Sequence, residues 1–192
     1  ISRSYSIANS PDQEGVLELH IRKRENGVCS EMIFGAEPKI KEKGIVRVKG
    51  PLGTFTLQKG SDKPIVLLAT GTGYAPIRSI LLDLIHQNSE RPVHFYWGAR
   101  QQEDLYALEE VEALIGRLKN AKFSPVLSKP NSDWKGENGY VQNVAAQNYP
   151  DMGQYEVYAC GSPAMTENAQ SLLTQNCALP EDAFFCDAFS PA

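Results

Sequence analysis

Pro64-Ile65-Val66-Leu67-Leu68-Ala69-Thr70-Gly71-Thr72-Gly73-Tyr74-Ala75-Pro76 is the stretch that decides how this chain folds. Its first half is a continuous apolar run of strand-forming residues, the pattern of a parallel strand covered on both faces. Beyond the glycines, Ile77, Ile80, Leu81, Leu84 and Ile85 fall at i, i+3, i+4, i+7 and i+8, one apolar stripe of an amphipathic helix. A buried strand, a glycine turn and a helix in that order make a nucleotide-loop candidate of Gly71-Thr72-Gly73. The loop departs from the dinucleotide-binding Gly-x-Gly-x-x-Gly by carrying Pro76 in the last place, and a turn without ligand is the alternative.

The same rhythm continues downstream. Val93 to Trp97 reads as the next strand, and Leu108, Val111, Ile115 and Leu118 mark a second helix. Phe123 to Leu127 and Glu156 to Cys160 read as further strands. Pro163 opens a helix at a first-turn position, where its missing N–H is of no consequence, and Phe184-Phe185-Cys186 closes the set. Strands alternating with helices predict right-handed βαβ units and a parallel sheet with helices on both faces. Upstream the pattern changes. Leu17, Leu19 and Ile21 alternate with Glu18 and His20, as in an antiparallel strand with one buried face. A second strand, Ile45 to Lys49, runs into the turn Gly50-Pro51-Leu52-Gly53, with a short helix expected between Cys29 and Ala36. The polar stretch Lys59-Gly60-Ser61-Asp62-Lys63-Pro64 divides the two patterns, which predicts domains over 1–58 and 59–192.

Composition removes several function classes. A net charge of −4, with Arg22-Lys23-Arg24 as the one basic run, gives no footprint for nucleic acid or an anionic membrane. The four cysteines, Cys29, Cys160, Cys177 and Cys186, form no Cys-x-x-Cys pair and no iron–sulfur spacing. Reduced thiols and a cytoplasmic protein are the expectation. No apolar stretch approaches the roughly 20 residues of a membrane span, and Ile1 is followed at once by Ser-Arg instead of a signal-peptide core. His20, His86 and His94 lack metal-ligand spacing, and neither a His-Glu-x-x-His nor a Ser-His-Asp signature occurs, so no metal is expected.

Four other motifs remain. Arg3-Ser4-Tyr5-Ser6 holds a cation, a flat ring and a hydroxyl; on a strand residues 3 and 5 share one face while residue 6 points away. Gly27-Val28-Cys29-Ser30, at the mouth of the short helix, would present consecutive N–H groups to a phosphate, or simply cap a turn. Cys160-Gly161-Ser162-Pro163 sits at the carboxyl end of a strand, where open α/β sheets bind ligands. Asp187-Ala188-Phe189 comes last, with Ser190-Pro191-Ala192 behind it as a tail.

Together these motifs resemble the ferredoxin reductase-like flavoprotein reductases, and the resemblance covers essentially the whole chain. It implies FAD and NADH or NADPH as cofactors. Arg3 would contact the FAD pyrophosphate, Tyr5 would line the flavin ring, and Ser6 would hydrogen-bond near N5. Gly27, Val28, Cys29 and Ser30 would match the family's pyrophosphate segment, and Gly71, Thr72, Gly73 and Pro76 its Gly-x-Gly-x-x-Pro nucleotide loop. Cys160, with Gly161 and Ser162, would lie against the nicotinamide, while Asp187 would relay or polarise and Phe189 would cover the ring. Gly98, Arg100, Asp104 and Ser128 would serve the adenosine half. Glu103 and Asp104 favour NADH by repelling a 2′-phosphate, against Arg100 and Lys129, which would accept one.

In that family Arg-x-Tyr-Ser lies partway through a flavin barrel. The fold class implied is therefore α/β, a parallel-sheet nucleotide-binding domain with helices on both faces, preceded by a partial antiparallel β-barrel flavin domain that is truncated at its amino end. Phe-x-x-Asp-Ala-Phe and Gly-Ala-Arg-x-x-Glu-Asp-Leu-Tyr look like bacterial flavin reductases and like reductase components serving deoxysugar synthesis or ring oxygenases. The acceptor would be an iron–sulfur protein or domain, or free flavin. The alternative is a nicotinamide-nucleotide-binding fragment without turnover.

Overall fold

In the computed structural model, residues 2–189 are described. Strands β1 (Ile65–Thr70), β2 (Val93–Ala99), β3 (Ala121–Leu127), β4 (Glu137–Asn138), β5 (Glu156–Gly161) and β6 (Phe184–Ala188) form one sheet in the order β4-β3-β2-β1-β5-β6. Every pairing is parallel. The period of two along the strands sorts side chains into two cores. Ile65, Leu67, Ala69, Phe95, Trp97, Tyr158 and Cys160 face helices α2 (Tyr74–His86) and α3 (Leu108–Ile115). Val66, Leu68, Tyr96, Val126, Val157 and Ala159 face α4 (Val141–Asn148) and α5 (Pro163–Asn176). The continuous apolar run of β1 is thus explained, because both of its faces are covered.

Helix α4 and the two-residue β4 were not expected from the sequence. Val141, Val144 and Ala145 are the buried apolar residues of α4, and its polar remainder includes two asparagines, which are weak helix formers. Packing supplies what propensity does not. From β1 the chain crosses to β2 on one side and later returns to place β5 on the other. The strand order therefore reverses between β1 and β5, and such a reversal opens a crevice at the carboxyl ends.

The amino-terminal part is built differently. Helix α1 (Val28–Phe34) forms close to where it was predicted. Neither predicted strand forms a ladder: antiparallel pairing among the described residues is limited to the bridge Ile7–Leu19, beside the bond from Ala8 N–H to Glu18 C=O at 2.9 Å. Ile45, Val46, Val48 and Leu52 stand exposed. A strand needs a neighbour to satisfy its backbone, and no described residue runs alongside Ile45–Lys49 to provide one.

The link between the two parts is nevertheless fixed. Tyr158 Oη accepts the Gln58 N–H at 3.0 Å and donates to Glu156 Oε2 at 2.9 Å. Arg91 pairs with that carboxylate at 2.7 Å and donates to Lys63 C=O at 2.7 Å. Burial raises the Glu156 pKa, but hydrogen bonds from Ser61, Arg91 and Tyr158, with the Arg91 charge, outweigh it and hold the carboxyl below its ordinary range. No helix among the described residues is long and apolar enough to cross a membrane.

Candidate functional site: a cleft between a glycine loop and the amino-terminal segment

At the end of β1, Gly71–Gly73 make a single 3₁₀ turn that leads directly into α2. Gly71 has φ +54° and open space where a Cβ would stand, so the backbone is both left-handed and uncovered. Gly73 has the opposite reason for lacking a side chain. A Cβ there would overlap the Cys160 carbonyl, and one on Gly161, at φ +146°, would overlap Thr70 Oγ1. The ends of β1 and β5 approach too closely for anything but glycine. Thr70 Oγ1 accepts the Ser162 N–H at 3.3 Å, and the Trp97 indole donates to Gly71 C=O at 3.1 Å, which fixes the turn. Pro76 falls in the first turn of α2, where the backbone N–H it lacks would have no partner within the helix, so the departure from a third glycine leaves the helix intact.

The amino-terminal segment reaches this crevice at the carboxyl ends of β5 and β6. Ser6 Oγ donates to Asp187 Oδ2 at 3.1 Å, joining two residues 181 positions apart in the sequence. Asp187 is the register partner of Cys160. Phe189 donates its N–H to Gly161 C=O at 2.7 Å and packs on the core cluster that contains Cys160, so it is held, while Ser190-Pro191-Ala192 lie outside the described residues. Cys160 itself is fully buried and does not line the cleft. Burial first, then the charges of Asp187 and Cys186, push its thiol well above the ordinary range, so it is protonated at neutral pH and no nucleophile.

Tyr5 Oη donates to Cys29 Sγ at 3.1 Å, and its pKa is pushed up to about 12 by burial and by that bond and the Cys29 charge. Val28 and Cys29 open α1 behind the cap Gly27. The Ser30 hydroxyl accepts the Arg24 N–H at 2.9 Å, which turns it into its own loop. Arg3 is exposed and donates to its neighbour Ser2 C=O at 2.8 Å.

Gly98, Arg100, Asp104 and Ser128 gather at the carboxyl ends of β2 and β3 and in the turn that follows β2. Asp104 is engaged there. Its carboxylate accepts the Gln101 N–H at 3.3 Å in a reciprocal cap of the turn Gln102–Asp104, and it lies 3.8 Å from Arg22 Nη2. Ser128 N–H donates to Ala99 C=O at 3.0 Å. A Cβ on Gly98 would stand 2.8 Å from Val141 Cγ1, so α4 packs tightly against this end. Sequence reasoning missed Gln142 here. It lines the cleft from the first turn of α4, is 6% exposed, and its Oε1 has no hydrogen-bond partner. No spacing or period singles it out, because its segment did not read as a helix. A buried amide oxygen left unpaired is destabilising and asks for a ligand donor or water.

The matches to known families follow these two halves. The oxidoreductase FAD-binding domain model covers residues 1–57 and the oxidoreductase NAD-binding domain model covers residues 67–171. The chain belongs to the ferredoxin reductase-like FAD- and NAD-binding oxidoreductases. Among relatives of this family, it is 42% identical over 190 residues to the CDP-6-deoxy-L-threo-D-glycero-4-hexulose-3-dehydrase reductase of Yersinia pestis, covering 99% of this chain and 56% of the relative. It is 34% identical over 190 residues to the NAD(P)H-flavin reductase of Vibrio harveyi, covering 98% of this chain and 80% of the relative. A cytochrome P450 reductase from Amycolatopsis superposes with a TM-score of 0.82 at 28% identity, over 97% of this chain and 56% of that one. The chain thus spans about half the length of several reductases it matches.

The residues present fit the family's groups. Open glycine backbone, the N-terminus of α2 and an unpaired buried acceptor suit a nucleotide. A phenol, a thiol and a hydroxyl–carboxylate pair face the other side. No group of three or more His, Cys, Asp or Glu side chains among the described residues could hold a metal.

Proposed function

We propose that the chain is the nicotinamide-binding part and a portion of the flavin-binding part of an NAD(P)H-dependent flavoprotein reductase, with the two units meeting at residues 58–59. The observation that carries this reading is the Ser6–Asp187 hydrogen bond at 3.1 Å. It joins Ser6 to the carboxyl ends of β5 and β6, which Gly73 also approaches, and so supports a flavin and a nicotinamide meeting there. FAD bound there supplies the electron-pair acceptor for the hydride of nicotinamide C4. The chain's own residues bind and align. Gly71, Thr72 and Gly73 take the nucleotide phosphates, with Pro76 shaping the helix behind them. Gly161 and Ser162 border the nicotinamide, and Cys160 shapes that wall from beneath as a neutral, buried side chain. Tyr5 and Ser6 border the flavin, Phe189 covers the redox end, and Asp187 holds or passes a proton at Ser6 Oγ. Arg3 and the segment Gly27, Val28, Cys29 and Ser30 take the FAD pyrophosphate.

At the far end Gly98, Arg100, Ser128 and Gln142 take the adenosine, with NADH favoured over NADPH. Electrons then pass to an iron–sulfur protein or domain, or to free flavin, in the cytoplasm. The test is anaerobic titration of the FAD-loaded protein with NADH. Bleaching of the flavin band is expected, and a protein of full native length that neither retains FAD nor bleaches would sink the reading. The exposed row Ile45, Val46, Val48 and Leu52 favours a second reading of the 192-residue chain by itself: a nicotinamide-nucleotide-binding module that holds FAD poorly. Stoichiometric flavin in the monomeric chain would overturn that.

A further inference from the structure

Among the described residues, three side-chain ion pairs cross between the amino-terminal segment and the sheet domain, and they are unequal. His86–Asp12 at 3.2 Å has side chains 60% and 45% exposed, and Arg22–Asp104 at 3.8 Å has 67% and 38%. Pairs of that kind are screened and contribute little. Arg78 is different: its side chain is 15% exposed and makes three charged or polar contacts at once. Nε donates to Glu110 Oε1 at 2.6 Å on α3, and Nη1 donates to Glu18 Oε2 at 3.0 Å and to Ala8 C=O at 2.8 Å in the amino-terminal segment.

Both ends of this clamp lie close to the chemistry. Arg78 follows the glycine turn by one helical turn of α2. Ala8 is fully buried, lies two residues after Ser6, and bonds through its N–H to Glu18 C=O. Glu18 is held in turn, its N–H bonded to Asn9 Oδ1 at 2.9 Å and its other carboxylate oxygen 3.2 Å from His20 Nε2. On the sheet side Glu110 accepts from Tyr74 Oη at 3.2 Å, and Tyr74 stacks on Trp97, whose indole holds Gly71. An unbroken set of contacts therefore runs from the nucleotide turn through Arg78 to the extended segment that carries Tyr5 and Ser6.

We propose that Arg78 is a positioning residue for hydride transfer, holding the Tyr5–Ser6 segment in place beside the glycine turn without touching either cofactor. This rests on the reading of the site given above. The planar guanidinium serves acceptors on two elements with fixed geometry, which a lysine ammonium cannot reproduce. Small errors in the approach of two reactants are amplified in rate, while nucleotide binding to the turn is left alone.

The test compares the full-length FAD-loaded protein with Arg78→Lys and Arg78→Met. The measurements are flavin reduction at saturating NADH, the Kd for NAD+, and backbone hydrogen exchange over residues 7–19. Arg78→Lys is expected to reduce its flavin about tenfold or more slowly, to bind NAD+ within about twofold of native, and to exchange residues 7–19 about tenfold faster. Native exchange over 7–19, or native reduction despite faster exchange, would overturn the proposal. So would a Kd that rises in step with the lost rate. Should Arg78→Met fail to fold, Arg78→Lys decides. Failure of the functional reading looks different: the native protein itself would not bleach with NADH.

Discussion

Leu68 and Ile45 both lie in segments that read as strands, yet one is wholly buried and the other wholly exposed. The difference lies in where their partners are. Strand β1 finds β2 after one intervening helix and β5 further along the same chain, so its ladder and both of its faces close within residues 65–188. Ile45–Lys49 has the composition of a strand and no described neighbour. Alternation reports that a segment can bury one face; it says nothing about what will cover that face. A continuous apolar run is more demanding, because only a sheet with helices on both sides accommodates it.

The sharpest way to break this comparison is a pair of truncations. Leu68→Ala should lower stability by about 3 kcal/mol, through lost burial and a residual cavity. Ile45→Ala should change it by no more than about 0.5 kcal/mol, as for other exposed positions. Urea unfolding of the 192-residue chain checks both. Similar losses would mean that Ile45 is covered in solution, for instance by a second copy along its open edge.

A closed sheet also allows a buried polar knot, and this gives the next largest effect. His94 lies within hydrogen-bond distance of Tyr149 Oη (2.9 Å), Tyr96 Oη (3.0 Å) and Ser124 Oγ (3.0 Å). Burial, and then the Lys122 charge, lower its pKa from 6.5 to about 4. The folded state therefore holds fewer protons than the unfolded state between those values. Stability is fully present above pH 6.5 and is lost as pH falls toward 4. Between pH 7 and 4.5 the loss from this group should be about 2 to 3 kcal/mol. His94→Gln should remove that part of the pH dependence. Parallel pH profiles for the native and variant chains would show the knot to be irrelevant.

Most of the sheet domain was legible because most of its strands and helices carry their own period. Val93 to Trp97, the stripe from Ile77 to Ile85 and Pro163 at a helix start all lie where local rules put them. Helix α4 was not legible, since its polar residues hide a stripe that only tertiary packing rewards. Of the candidate site, residue types were readable and relationships were not. Ser6 and Asp187 each looked functional alone, but no spacing could show that one donates to the other across 181 positions. Gln142 and Arg78 were invisible because their significance is an unpaired atom in one case and a bridge between elements in the other.

The smallest effect concerns the end proposed to take the adenosine, where the sequence offered Glu103 and Asp104 as a single acidic pair. The structure separates them. Asp104 caps its own turn and lies near Arg22, so much of its charge is already answered. Glu103 is exposed, and under the proposed reading its charge would repel a 2′-phosphate. Exposed charges act weakly through water, about 1 kcal/mol or less. Glu103→Gln should therefore raise kcat/KM for NADPH relative to NADH by only about threefold, and the gain should shrink as salt rises. Asp104→Asn should move that ratio by less than about twofold while lowering stability by no more than about 1 kcal/mol through the weakened cap. Equal shifts from the two variants would restore Asp104 as a ribose partner. A native preference for NADPH that weakens with salt would instead make Arg100 and Lys129 the phosphate site, because only a charge-paired 2′-phosphate responds to ionic strength in that direction.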